Sequence, residues 1–426
     1  MVGTPSMMRS GATNGPPAMA NKASRSAFLM IAGLYVSQGL PIGFAFEALP
    51  ILLRQAGIGL DTIALTPIVA LPWILKFLWS PLVDNTWTKR LGRRRSWMIP
   101  TQAVLVISLV GLAFVPLGIS NMPITAALLL LGSCAGATQN IVTDGFAAEA
   151  LPHEALGVAN ALQIGGIVAG AMLGGGGSLI LHDLWGVQAA LLVLAAVALL
   201  SLLPVLSWRE SIRPADRTRR KARLPTIIRR RGFGPILLLS LCYGVANAGG
   251  FGLSKLVLLE KGWMVSQIGA IAVLSSATVM LIGSPLAAFA IRRFGLWHTM
   301  LAGLFVALAP VIAWWWVASG PASPSWVLAG AATVLLGTAV GLISVAASTL
   351  AMRFGAQGNQ AGTDVAVLQS ANVLGEMMIA SSAMWLASSM GYANALIGAT
   401  AATAVVFAIV LWCRESVPSV VLEGAK

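Results

Sequence analysis

Twelve apolar stretches follow one another through the 426-residue chain, and very few folds can absorb them. They lie near 27–48, 61–82, 97–118, 122–145, 157–180, 186–207, 235–256, 266–291, 297–318, 326–350, 363–388 and 392–413. About 20 apolar residues in a helix match the hydrocarbon thickness of a bilayer. In lipid, a helix satisfies the backbone polar groups within one segment, so these runs read as spanning helices. Charged residues make up 10% of the chain, against roughly 25% in a soluble domain, and hydrophobic residues 57%. A soluble protein of this length could not keep so much apolar surface from water. The sequence therefore specifies an all-α membrane protein.

Charge orients it. A formal net charge of +13 would suggest nucleic acid in a soluble chain, but here the cations gather between particular spans. Arg9, Lys22 and Arg25 precede the first span, and Lys89, Arg90, Arg93, Arg94 and Arg95 follow the second. Ten more, from Arg209 to Arg231, follow the sixth. Arg292, Arg293, Arg353, Arg414 and Lys426 fall on the same side. The opposite side holds only Arg54 and Lys261, while Lys76 and Lys255 lie within spans. Cationic loops resist translocation, so both termini are expected in the cytoplasm and no nucleic-acid partner is expected. Trp208–Gly234 is the one long polar segment between spans, and it divides them six and six.

The organisation read from this is a disordered tail over 1–26, a first half over 27–207, a basic linker over 208–234, a second half over 235–413 and a tail over 414–426. The apolar run from Ala27 is read as an uncleaved span. The linker orients the chain and meets anionic lipid, with a protein partner as the alternative. Cys134, Cys242 and Cys413 sit inside apolar stretches and read as packing residues.

A faint repeat relates the halves. Ala161-Leu-Gln163 opens the fifth span much as Val367-Leu-Gln369 opens the eleventh, and Met172 and Met378 follow at the same distance. Halves of this kind enclose a substrate site near the bilayer midplane. A charge in hydrocarbon costs about 2.5–3.5 kcal/mol on insertion scales, so polar residues inside spans are the candidates to line that site. Glu376 falls in mid-span, with Gln369 and Asn372 seven and four residues before it, which puts all three on one helical face. Two roles fit such a carboxylate: binding and releasing a proton, because burial disfavours its charged form, or pairing with a basic residue.

Tyr35 and Gln38 in span one, Gln163 in span five, and Tyr243 and Asn247 in span seven complete the cavity set. Gly39, Pro41 and Gly43 predict either a broken helix facing a cavity or a simple kink. Gly166, Gly170 and Gly174 predict close helix packing, with a sliding interface as one setting for it. Lys76 and Lys255 are placed to snorkel, and Lys255 could instead attract an anionic ligand. No Walker loop follows Gly174–Gly177, and His153, His182 and His298 lack ligand spacing. Neither a cofactor nor a metal site is assigned, and enzyme chemistry is not expected. Uphill transport would then draw on an ion gradient.

Asp84 followed by Lys89-Arg90-Leu-Gly92-Arg93-Arg94-Arg95 resembles the signature loop of the major facilitator superfamily. Leu34-Tyr-Val-Ser-Gln-Gly-Leu-Pro-Ile-Gly43, Lys76-Phe-Leu-Trp-Ser-Pro-Leu-Val-Asp84 and Leu91-Gly-Arg-Arg-Arg-Ser-Trp97 narrow the resemblance to the AmpG-type permease branch. That branch includes muropeptide permeases, acetyl-CoA transporters and the RhtX/FptX siderophore importers. Val83-Asp-Asn-Thr-Trp87, Thr143-Asp-Gly-Phe-Ala-Ala-Glu149 and Ala361-Gly-Thr-Asp364 are similar to the siderophore importers' versions of these loops.

The resemblance implies twelve transmembrane helices in two six-helix halves, the major facilitator fold, as a monomer in a bacterial inner membrane. It implies import of a ferric siderophore by alternating access, driven by protons, with the iron arriving chelated. Under it, Asp84, Arg93, Arg94 and Arg95 are gating residues that pair with Asp144 or Glu149. A muropeptide permease of the same fold and a transporter-like sensor are the competing readings.

Overall fold

The computed structural model describes residues 17–56, 69–208, 210, 221–248 and 251–417. The helices used below are α1 (Pro17–Gly43), α2 (Ser80–Asn85), α3 (Arg95–Ala113), α4 (Met122–Ala150), α5 (Leu156–Met172) and α6 (Ser178–Leu200). After the linker come α7 (Phe233–Ala248), α8 (Ser284–Phe294), α9 (Leu296–Ser319), α10 (Trp326–Ala356), α11 (Ala361–Met390) and α12 (Tyr392–Cys413). Gly295 and Gly391, at φ +87° and +83°, separate α8 from α9 and α11 from α12. Glycine reaches this backbone conformation without steric cost, so each pair turns sharply between spans.

Among the described residues, eight helical stretches are long and apolar enough to cross a membrane. One of them, His153–Ser207, holds two spans that meet at Gly186, where the backbone leaves the helical region. The 30-residue α11 is also long enough, and Asp364, Gln369, Asn372 and Glu376 keep it outside the apolar set. Span two ends in pieces: a short helix Leu71–Leu75, a 3-10 turn Lys76–Leu78, then α2.

Two expectations change and a third gains a location. The tail over 1–26 is already helical from Pro17, a residue suited to a helix start because its missing N–H is not needed there. Around Pro41 the helix is unbroken: α1 runs through it to Gly43, and the irregularity is a π-helical turn just beyond, Phe44–Ala48. The small residues of α5 do pack closely against another helix, at a crossing inside the first half. A β-carbon on Gly170 would fall 2.0 Å from the Val36 carbonyl oxygen of α1, and one on Gly43 2.0 Å from that of Ala171. The second half repeats this crossing, with Gly244 of α7 against the Asn372 carbonyl of α11.

Packing follows the same repeat. In the first half α1 lies on α5, and α3 on α4 and α6; in the second α7 lies on α11, and α9 on α10 and α12. The halves touch through α5 with α8 and α10, and through α4 with α10 and α11. The apolar core shows where they are joined. At the end bearing the basic loops, one buried cluster mixes Met30, Phe146 and Leu156 of the first half with Trp297, Leu350 and Phe354 of the second. At the other end each half keeps its own cluster, around Leu40 and Leu105 in one and Leu253 and Trp314 in the other. Burial of shared apolar surface holds the basic end closed.

Candidate functional site

A chain of buried polar groups runs through the middle of the molecule. Helical spacing puts Asn140 and Asp144 of α4 one turn apart on one face. The Tyr35 hydroxyl of α1 donates to Asp144 Oδ1, and Gln163 Nε2 of α5 donates to the same oxygen at 2.9 Å. The Lys76 ammonium donates to Asn140 Oδ1 and, at 2.6 Å, to Gln369 Oε1 of α11. Asn140 in turn donates to Gln38 Oε1 at 3.3 Å. Lys76 and Asp144 are only 2% and 1% exposed, and they attract each other across the cluster. Trp73 adds its ring 5.6 Å from the ammonium.

Desolvating two such ions costs several kcal/mol each, and a dense set of partners is what makes the arrangement tolerable. Lys76 therefore does not snorkel: in its 3-10 turn it points into the protein, where two amide oxygens replace water and the Asp144 charge attracts it. It also joins the halves, because Gln369 belongs to the second. Gln38 Nε2 and Gln163 Oε1 are buried in this cluster with no described partner, and such atoms are the ones a ligand or water satisfies.

A second network closes the basic end. Asp84, at the end of α2, accepts from Arg93 at 3.1 Å and Arg94 at 2.9 Å on one oxygen. Its other oxygen accepts the Thr363 backbone N–H at 2.7 Å and hydroxyl at 2.9 Å. Thr363 lies in the first turn of α11, so Asp84 caps a helix of the opposite half, where unpaired N–H groups and the helix dipole favour an anion. Glu149 takes Arg93 at 2.7 Å and Arg94 at 3.0 Å from the other side. Burial draws the Arg94 guanidinium down, yet Glu149 and Asp84 more than offset it, and its charged form is held above the ordinary range.

The linker is part of this end. Glu210 Oε2 accepts the backbone N–H groups of Arg94 at 2.8 Å and Arg95 at 3.1 Å, capping α3. Burial pushes the Glu210 carboxyl above its usual range, against the pull of those N–H bonds and of Arg94 and Arg93. Asn85 of the first half clasps the Ala222 backbone at 2.9 and 2.6 Å, and Gln360 of the second accepts the Arg223 N–H at 2.8 Å. Arg230 pairs with Asp364, which Gln360 also meets at 2.8 Å.

The candidate residues thus separate. Tyr35, Gln38, Gln163 and Gln369 come together as a cluster. Asp144 joins them rather than the arginines, because α4 continues to Ala150 and leaves Asp144 more than a turn inside it. The arginine pairing falls on Asp84 and Glu149. Arg95 stands apart and donates to the Leu206 carbonyl at 3.2 Å. Asn372 ties α11 to the Ser240 carbonyl of α7 at 3.1 Å. Glu376 is half-buried one turn beyond Asn372, where α11 meets Gly244. The Tyr243 hydroxyl is buried in the apolar core without a described partner, and the Asn247 side chain lies outside the described residues. Sequence reasoning missed Lys76, Thr363, Asn85, Gln360 and Glu210. Of these only Lys76 carried a signal, a charge inside an apolar span.

Two crystal structures resemble this chain closely enough to define its fold class. One is the major facilitator superfamily transporter FucP in the outward conformation, with TM-score 0.67 and 13% identity over 91% of this chain and 99% of that one. The other is a bacterial homologue of the iron transporter ferroportin in an outward-facing state, with TM-score 0.66 and 15% identity over 91% and 98%. The chain has the major facilitator fold, in two halves of six helices. Residues 27–124 match the family model described as acetyl-coenzyme A transporter 1. Over most of its length the chain is similar to the anhydromuropeptide permease of Escherichia coli strain K12, 24% identical over 399 residues, covering 92% of this chain and 80% of that one.

Proposed function

We propose that this protein is a proton-driven secondary transporter that works by alternating access, with the basic end on the cytoplasmic side of a bacterial inner membrane. The observation that carries the reading is the Lys76 bridge: an ion of one half, compensated by Asp144, bonded to Gln369 of the other. A proton delivered to Asp144 would remove the negative charge that compensates Lys76 and weaken the bridge. Protonation and separation of the halves are thereby linked, which is what coupling requires. Glu376 stays a second candidate carrier on α11.

For the cargo, the long match to an anhydromuropeptide permease supports a muropeptide over the ferric siderophore suggested by three loop resemblances. The test is uptake of labelled anhydromuropeptide and a ferric siderophore panel into membrane vesicles with an imposed proton gradient. Accumulation of muropeptide that collapses with a protonophore is the expected result, and accumulation of a siderophore alone would restore the other cargo. Asp144→Asn should lose accumulation yet keep exchange without a gradient. Equal accumulation by Asp144→Asn at all gradients, with loss in Glu376→Gln, would move the proton site to α11.

A further inference from the structure

The halves are hydrogen-bonded to each other where α2 meets α11, and a cleft of about 860 Å³ lies where α5 meets α8. Ala161 and Gly165 of α5 form one wall, and Met280, Ala288 and Phe289 on and before α8 the other. This volume lies within the roughly 300–1,000 Å³ range of small-molecule sites. Both walls belong to stretches long and apolar enough to span a membrane, so the cleft lies at bilayer depth and its apolar face needs an apolar occupant. Its mouth has the opposite character. Arg292 and Arg293, in the last turn of α8, line it; both are exposed, and neither forms an ion pair with a described residue.

We propose that this cleft binds one anionic phospholipid, with the phosphate on Arg292 and Arg293 and an acyl chain along the α5–α8 wall. A soluble anion would satisfy the arginines and leave the wall bare, and a neutral lipid would do the reverse. Only an amphiphile with an anionic head meets both, and basic pockets between spans are suited to such heads. Because the walls belong to different halves, occupancy is tied to how far apart the halves stand, so the lipid weights one state over another.

Native mass spectrometry of the protein released from nanodiscs, two parts phosphatidylcholine to one part phosphatidylglycerol, tests this. The wild type should retain one phosphatidylglycerol. The double variant Arg292→Ala/Arg293→Ala should bind it about thirty-fold more weakly, from two arginine contacts at the strength typical of a membrane surface. The pair Arg292→Lys/Arg293→Lys should keep most of the binding. Ala161→Leu, which narrows the acyl-chain track along α5 and leaves both arginines, should weaken retention of the lipid at an unchanged unfolding midpoint. Equal retention by the double alanine variant, equal retention by Ala161→Leu, or displacement of the lipid by inorganic phosphate would each overturn the proposal.

Discussion

The two places where the end of one half's second helix meets the other half are related by the internal repeat, and they are built differently. Ser80-Pro-Leu-Val-Asp84 corresponds to Ser284-Pro-Leu-Ala-Ala288. At the first crossing, Asp84 holds two arginines and the start of α11 on its two oxygens. At the second, the matching position is Ala288, and the contact with α5 is Ile291 against Gly157. Apolar contact is non-directional and weakens gradually as surfaces part. A buried charge network opens only by leaving ions unpaired or by admitting water, so it resists small displacements and then releases. One crossing is a latch; the other is a bearing.

The sharpest way to break this comparison is Asp84→Ala. It leaves two buried arginines to share Glu149 alone and the Thr363 amide without its acceptor, and the expected loss is about 3 kcal/mol, read as a lowered thermal unfolding midpoint in detergent together with lost uptake. A loss no larger than that of a change at the other crossing would refute the latch.

Gly362→Ala probes the same place by volume alone. Its β-carbon would lie 2.9 Å from Asp84 Oδ1, 3.0 Å from Arg94 Nη1 and 3.1 Å from the Ile141 carbonyl oxygen. About 1–3 kcal/mol of destabilisation is expected, and a wild-type midpoint would mean that the network yields easily.

Asn85→Ala removes the first half's hold on the linker at Ala222 and leaves the one at Glu210. About 1–2 kcal/mol is expected, with faster protease cleavage between Arg209 and Arg223 as the direct readout. Unchanged cleavage would show that the clasp does not restrain the linker.

Gly157→Ala is the mild partner of Gly362→Ala. Its β-carbon meets nothing nearer than Ile291 at 3.5 Å, an ordinary contact. The expected outcome lies between no change and a gain of about 1 kcal/mol from better helix propensity. A loss comparable to Gly362→Ala would erase the difference between the crossings.

Much of this was legible in the chain itself, for reasons specific to each residue. The loop's resemblance singled out Asp84, Arg93 and Arg94 and offered Glu149 as one partner; that Asp84 itself takes both arginines was not among the expectations, although the three are close in sequence across a tight turn. Gln369 and Asn372 share a face by helical spacing. The role of Lys76 was not legible. It is one charge near a span end, and whether it turns toward lipid headgroups or inward depends on a 3-10 turn and on amide oxygens from α4 and α11. Of the two alternatives for the arginines' partner, Glu149 is the one that meets them, because the fourth helix continues past 145 to Ala150 and leaves Asp144 more than a turn inside it.

By itself the sequence determined the environment and the element type: lengths of apolar chain that only a bilayer accommodates, and a glycine-marked basic hairpin. Tertiary structure alone decided which ions meet. Asp84 and Thr363 stand far apart in the chain, as do Lys76 and Gln369, and both contacts arise where helices of opposite halves cross. Helical periodicity sets which residues share a face, but it carries no information about which face of which distant helix arrives opposite. Packing of the two halves supplies that, and with it the difference between a latch and a bearing.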